Sequence, residues 1–88
     1  MSYLTLTNAD LTEAQISTVD AYITTQTTSG NTDGIRVNVT RNGVVDSDNQ
    51  PLALIQRNWA DSASASAYIA YINTLGGTVN YAEVVAPL

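Results

Sequence analysis

The chain has 88 residues, 44% of them apolar, and a formal net charge of −5 set by eight carboxylates against three arginines. It contains no Lys, His, Cys or Phe, which excludes Ser-His-Asp and Ser-Lys nucleophiles, Schiff-base and thiolate chemistry, and zinc sites built on His or Cys. With Arg36, Arg41 and Arg57 as the only cationic side chains, no basic surface is expected for nucleic acid or for an anionic membrane.

A chain of this length is expected to form one domain that buries ~60–65% of its unfolded surface. Twelve Thr, eight Asn and seven Ser outnumber the charged residues, so uncharged hydroxyls and amides carry most of the polarity. No run approaches the ~18 apolar residues of a membrane span. Met1-Ser2-Tyr3-Leu4-Thr5 has neither the basic region nor the apolar run of a signal peptide, and the absence of Cys fits a reducing compartment, so a cytoplasmic location is expected.

Tyr3-Leu4-Thr5-Leu6-Thr7 alternates apolar and polar, which predicts a half-buried strand broken by Asn8-Ala9-Asp10. A helix follows. Thr12 and Gln15 have capping-box spacing, Leu11 and Ile16 are placed for a hydrophobic staple, and Glu13 lies in the first turn. Ile16, Val19, Tyr22 and Ile23 make its apolar stripe, and Gly30 is the expected C′ residue. After the turn Asn31-Thr32-Asp33-Gly34, the segment Ile35-Arg36-Val37-Asn38-Val39-Thr40-Arg41 predicts a strand with Ile35, Val37 and Val39 on one face. Asn42-Gly43 suits a type I′ hairpin turn that would fold Val44-Val45 back onto Val39 and Thr40. A polar loop over 46–50 and an extended stretch from Leu52 to Arg57 complete a long hairpin, kinked or bulged near Asp48. Asp61 is the N-cap of a second, Ala-rich helix whose buried stripe is Ala65, Tyr68, Ile69, Ile72 and Leu75, ended by Gly76-Gly77. The last strand runs from Thr78 to Val85, with Glu83 on one face with Val79, Tyr81 and Val85, either at a sheet margin or paired with an arginine. The expected fold is α+β, a ferredoxin-like βαββαβ sandwich: a four-stranded antiparallel sheet with two helices on one face.

Few motifs carry chemistry. Asp46-Ser47-Asp48 begins like a calcium loop, but Pro51 and Arg57 stand where such a loop needs Gly and Glu. Asn38-Val39-Thr40 fits a glycosylation sequon inside a strand with no secretory signal. Gly76-Gly77 follows a helix, whereas a phosphate cradle precedes one. No metal, nucleotide or covalent cofactor is expected, and no catalytic residue is assigned. The best binding candidates are Arg57 and Trp59, where the third strand passes into the second helix, because Trp and Arg are enriched in binding hot spots. The competing and preferred reading of Trp59 is a plug at the end of the core. Arg36 and Asn38, with Thr5 and Thr7, predict a polar sheet surface that faces solvent or a second subunit, with Tyr3 near the contact.

Arg57-Asn58-Trp59-Ala60-Asp61, followed by Ala65-Ser66-Ala67-Tyr68-Ile69 and Leu75-Gly76, resembles a pattern in short uncharacterised proteins of tailed marine phages. It is also similar to the strand-to-helix passage of the dimeric α+β barrel group, whose monooxygenase-like members pair ferredoxin-like subunits through their sheets. That resemblance implies architecture and pairing. The chemistry of those enzymes draws on His and larger aromatics that this chain lacks. The function expected is therefore a structural or protein-interaction module, homodimeric and of phage origin, located in the host cytoplasm or the virion. The alternative is a small-molecule-binding or cofactor-independent oxygenase-like dimer. A small virion protein with a different protein partner is a further reading.

Overall fold

A computed structural model describes residues 1–85. The elements run β1 (Tyr3–Asp10), α1 (Glu13–Thr28), β2 (Val37–Val39), β3 (Leu54–Trp59), α2 (Ser62–Asn73) and β4 (Thr78–Val85). The strands form one antiparallel sheet in the order β2-β3-β1-β4. With two helices the domain is α+β.

Both helices start where local chemistry dictates. Thr12 Oγ1 accepts from the Gln15 backbone N–H at 3.2 Å, and Gln15 Oε1 accepts from the Thr12 N–H at 2.8 Å, which completes the capping box. Asp61 Oδ1 accepts from the Ser64 N–H at 2.7 Å; that hydrogen bond to its ionised form holds the Asp61 carboxyl below its usual range. α1 ends in a full Schellman motif. Gly30, at φ +79°, donates to Thr27 O and Asn31 donates to Gln26 O. Along α1, Thr18, Thr24, Thr25, Thr27 and Thr28 each turn their hydroxyl back onto the carbonyl four residues earlier, so the helix presents a polar surface almost without charge.

The main core lies between the sheet and the helices. Val19 and Ile23 of α1 meet Ala65, Tyr68 and Ile72 of α2 over Trp59. With no Phe available, tyrosines join the two helices: Tyr22 stacks on Tyr71 with centroids 4.1 Å apart, and Tyr68 lies 6.0 Å from Tyr22 and 4.9 Å from Trp59. Of the predicted α1 stripe, Ile16 remains 43% exposed.

The faces of β1 are inverted relative to the sequence reading. Tyr3, Thr5 and Thr7 pair with Trp59, Arg57 and Ile55 and share their side of the sheet, beneath the helices, where Thr5 and Thr7 are 0% and 3% exposed. They form no solvent-facing or subunit-facing polar surface. Leu4 and Leu6 point the other way. Leu6 and Leu54 are nevertheless buried, because the segment from Thr40 to Ala53 passes over this far face. Its start is held at β4 by an Arg41–Glu83 ion pair of 3.3 Å, and its end is held at β1 by Asn8 Nδ2 donating to Ala53 O at 2.7 Å. β1 is thus buried on both sides, and an alternating pattern does not tell which side carries the helices.

Further departures follow from this crossing. β1 continues through Asn8-Ala9-Asp10 instead of breaking there. β2 is only three residues long and pairs with β3, not with Val44-Val45; Ile35 and Val37 are 55% and 40% exposed. The Asn42-Gly43 turn has positive φ at Gly43 alone, the pattern of a type II turn and not of type I′. It launches the crossing segment and does not close a hairpin. In β4 an extra residue at Asn80 shifts the register, so that Asn8 faces Tyr81 while Ala9 faces Val79. Val79 therefore packs against the helix-side core, and of its predicted companions Glu83 keeps Tyr81 and Val85 on the far face.

Gly77 shows the tightest backbone approach: a Cβ there would meet Asp10 O at 2.4 Å. Gly77→Ala is expected to cost about 1–3 kcal/mol in urea unfolding, as overpacking does. Thr12→Ala, which removes the cap, is expected to cost about 0.5–2 kcal/mol. An unchanged midpoint in either variant contradicts the corresponding contact.

Candidate functional site

Directly beneath the helices the sheet carries a cation that no carboxylate among the described residues pairs. Arg57, in the middle of β3, is 5% exposed. Its Nε is the only buried side-chain polar atom without a hydrogen-bond partner among the described residues, and the ion pair formed among those residues belongs to Arg41 and Glu83. Taking a cation out of water costs several kcal/mol. The compensation comes from Tyr68, whose ring lies 6.0 Å from the guanidinium carbon, a contact worth about 0.5–2 kcal/mol, and whose hydroxyl also interacts with the guanidinium.

Arg57 lines a cleft of about 50 Å³ between the sheet and the two helices. Thr7 of β1, Arg36 just before β2, Tyr68 of α2 and Asp20 of α1 supply its other polar groups, and Ala9, Leu11, Val19 and Ile72 supply apolar wall. The register explains the company. The ladder ends where Val37 pairs with Gln56, which leaves Arg36, exposed just before β2, and Arg57, just after Gln56, at the same cleft. Two like charges brought to one site repel each other. Burial pushes the Tyr68 hydroxyl up from its ordinary value of 10.0, while the nearby Arg57 and Arg36 cations pull it the other way.

The five residues singled out in the sequence part company here. Arg57 and Arg36 come together at the cleft. Trp59 is 0% exposed and donates its indole N–H to Thr5 Oγ1 at 2.9 Å; it is the core plug and offers no contact surface. Tyr3 is half-buried against the same core, and Asn38 stands exposed on β2, away from the cleft lining. Sequence reasoning missed Tyr68, Thr7 and Asp20. Tyr68 sits on an apolar helix stripe and reads as packing, and Thr7 reads as solvent-facing until the inversion of β1 is known.

Two larger grooves, of about 400 and 380 Å³, flank the crossing segment on the far face. Glu83 lies on that face, accepting from Arg41 Nη1 and from the Tyr81 hydroxyl; this hydrogen bond raises the Tyr81 hydroxyl above its ordinary value. No group of three or more acidic residues capable of holding a metal ion occurs among the described residues, and no helix among them is long and apolar enough to cross a membrane. No protein family, curated protein or solved structure matches the chain.

Two outcomes are expected from these electrostatics. Arg57→Met is expected to leave stability unchanged or raise it by up to about 3 kcal/mol in urea at neutral pH, since an apolar side chain replaces an unpaired buried cation. A loss above about 1 kcal/mol would show that the guanidinium helps hold the core. Tyr22, Tyr68 and Tyr81 all titrate above 10.0 in the folded chain, so their neutral forms contribute stability that is fully present below that pH and lost as pH rises through the folded values. The urea midpoint is expected to fall on the alkaline side of pH 10, with a shallower fall in Tyr68→Phe.

Proposed function

We propose that this chain is a small binding module of ferredoxin-like fold that takes up a small molecule in the Arg57 cleft without transforming it. The observation that carries the reading is Arg57 itself: a buried guanidinium with an unpartnered Nε and no carboxylate beside it among the described residues, lining a cleft with a second arginine and a tyrosine. A packed core gains nothing from such a group, whereas a ligand that pairs it does. The fold assignment is supported by the β-α-β-β-α-β element order and by the sheet order β2-β3-β1-β4. The absence of catalysis is supported by the polar groups of the cleft, two guanidiniums, a phenol, a threonine and the exposed Asp20 carboxylate, which recognise ligands and include no hydroxyl hydrogen-bonded to a base. A phage origin, suggested by the residue pattern from Arg57 to Ile69, accords with a module of this kind.

A fragment screen read by backbone amide NMR tests the reading. Binding fragments are expected to shift Thr7, Tyr68 and Ile72 together. Shifts confined to Val39, Thr40 and Gln56 would move the site to the far face and overturn it.

A second reading, self-association, is favoured by Ile35 and Val37, which are 55% and 40% exposed beside and on edge strand β2. The crossing segment obstructs sheet-to-sheet pairing on the far face and leaves this edge, which carries no Lys to blunt it. Sedimentation equilibrium at micromolar concentration is expected to give about twice the 9.3 kDa chain mass by two-fold pairing, and Val37→Lys is expected to return the monomer. A monomeric wild type rules this edge out as a self-association surface.

A further inference from the structure

Resting on the reading of the cleft as a ligand site, we infer that its ligand is a short-chain monocarboxylate, with the carboxylate between Arg57 and Arg36 and the tail against the apolar wall. Charge comes first. Arg36 and Arg57 line the same cleft, and no carboxylate among the described residues pairs with either. A single negative group placed between them relieves their repulsion and the desolvation of Arg57 together. The fork of a guanidinium matches the two oxygens of a carboxylate, and Thr7 on the sheet and Tyr68 on α2 bring hydroxyls to the same cleft.

Size and polarity narrow the class. About 50 Å³ admits one or two waters, or a carboxyl group with a very short chain. Leu11, Val19 and Ile72 would leave the oxygens of a polar tail without partners, which is costly. Asp20 is exposed and also lines the cleft, and the chain as a whole carries −5. Both oppose a dianion such as hydrogen phosphate or sulfate more strongly than a monoanion.

The experiment is an NMR titration of isotope-labelled protein in chloride buffer free of carboxylate and phosphate. Acetate, propionate and butyrate are compared with propionamide, the neutral counterpart of propionate, and with inorganic phosphate. Propionate is expected to shift the Arg57 Nε–H, Thr7 and Tyr68 resonances saturably, at least tenfold more tightly than propionamide or phosphate. Arg57→Lys, which keeps the charge and loses the fork, is expected to weaken propionate binding at least tenfold, and Arg57→Met to abolish it while keeping native amide dispersion. Equal binding of propionamide and propionate would overturn the carboxylate inference and leave the cleft as a ligand site. Tighter binding of phosphate would also overturn the inference. If none of the probes moves Arg57, water alone fills the cleft, and the inference falls together with the reading beneath it.

Discussion

The indole of Trp59 is the contact on which the rest of the domain depends. Fully buried at the end of β3, it packs on Tyr68 of α2 and donates to Thr5 of β1. Its backbone bridges to Thr32 and accepts from Ser2. A buried indole N–H left without a partner costs free energy, so Thr5 must face the helices. That requirement sets which side of β1 is the core side, and with it the placement of Thr7, Arg57 and the cleft.

The same constraint accounts for an unusual core. The helix-side face of the sheet carries threonines and an arginine, while the leucines of β1 lie on the opposite face beneath a loop. Hydrophobic burial is therefore divided between two thin layers, one under the helices around Trp59 and one under the crossing segment around Leu6 and Leu54. Neither layer is deep, and the tyrosines of α1 and α2 supply contact area that a Phe-bearing core would otherwise provide. The cleft lies where the first layer is least filled, between α1 and the β2 side of the sheet.

Local signals were legible in the sequence, and long-range ones were not. The caps at Thr12 and Asp61, the Schellman glycine at Gly30 and the stripe of Ala65, Tyr68 and Ile72 follow from contacts within a few residues, and pattern reading finds them. The four strands and two helices followed in the right sequence for the same reason. The facing of β1 did not, because Tyr3-Leu4-Thr5-Leu6-Thr7 offers leucines to one side and threonines to the other, and only a partner distant in the chain, Trp59, selects between them. Val44-Val45 misled for a related reason: an Asn-Gly pair predicts a turn, but not what the chain meets after it. Of the site, Arg57 and Arg36 were found from residue type. Tyr68 and Asp20 were not, since nothing local separates a cleft-lining tyrosine from a packing one.

The Arg41–Glu83 bridge has a mechanical consequence. β1 and β4 begin and end at one corner of the sheet, where Leu4 faces Val85, then Thr5 faces Val84 and Leu6 faces Glu83. Tension applied to that corner peels the two strands apart rung by rung, the weakest way to load a sheet. At the third rung the tear reaches the strand position tied through Arg41 to the segment leaving β2 at the opposite edge. From there, further opening must also drag that segment off Leu6 and Leu54. The tie thus links the two edges of the sheet at that rung, and because both its side chains are half in solvent it adds only about 0–1 kcal/mol to the work of parting the strands themselves.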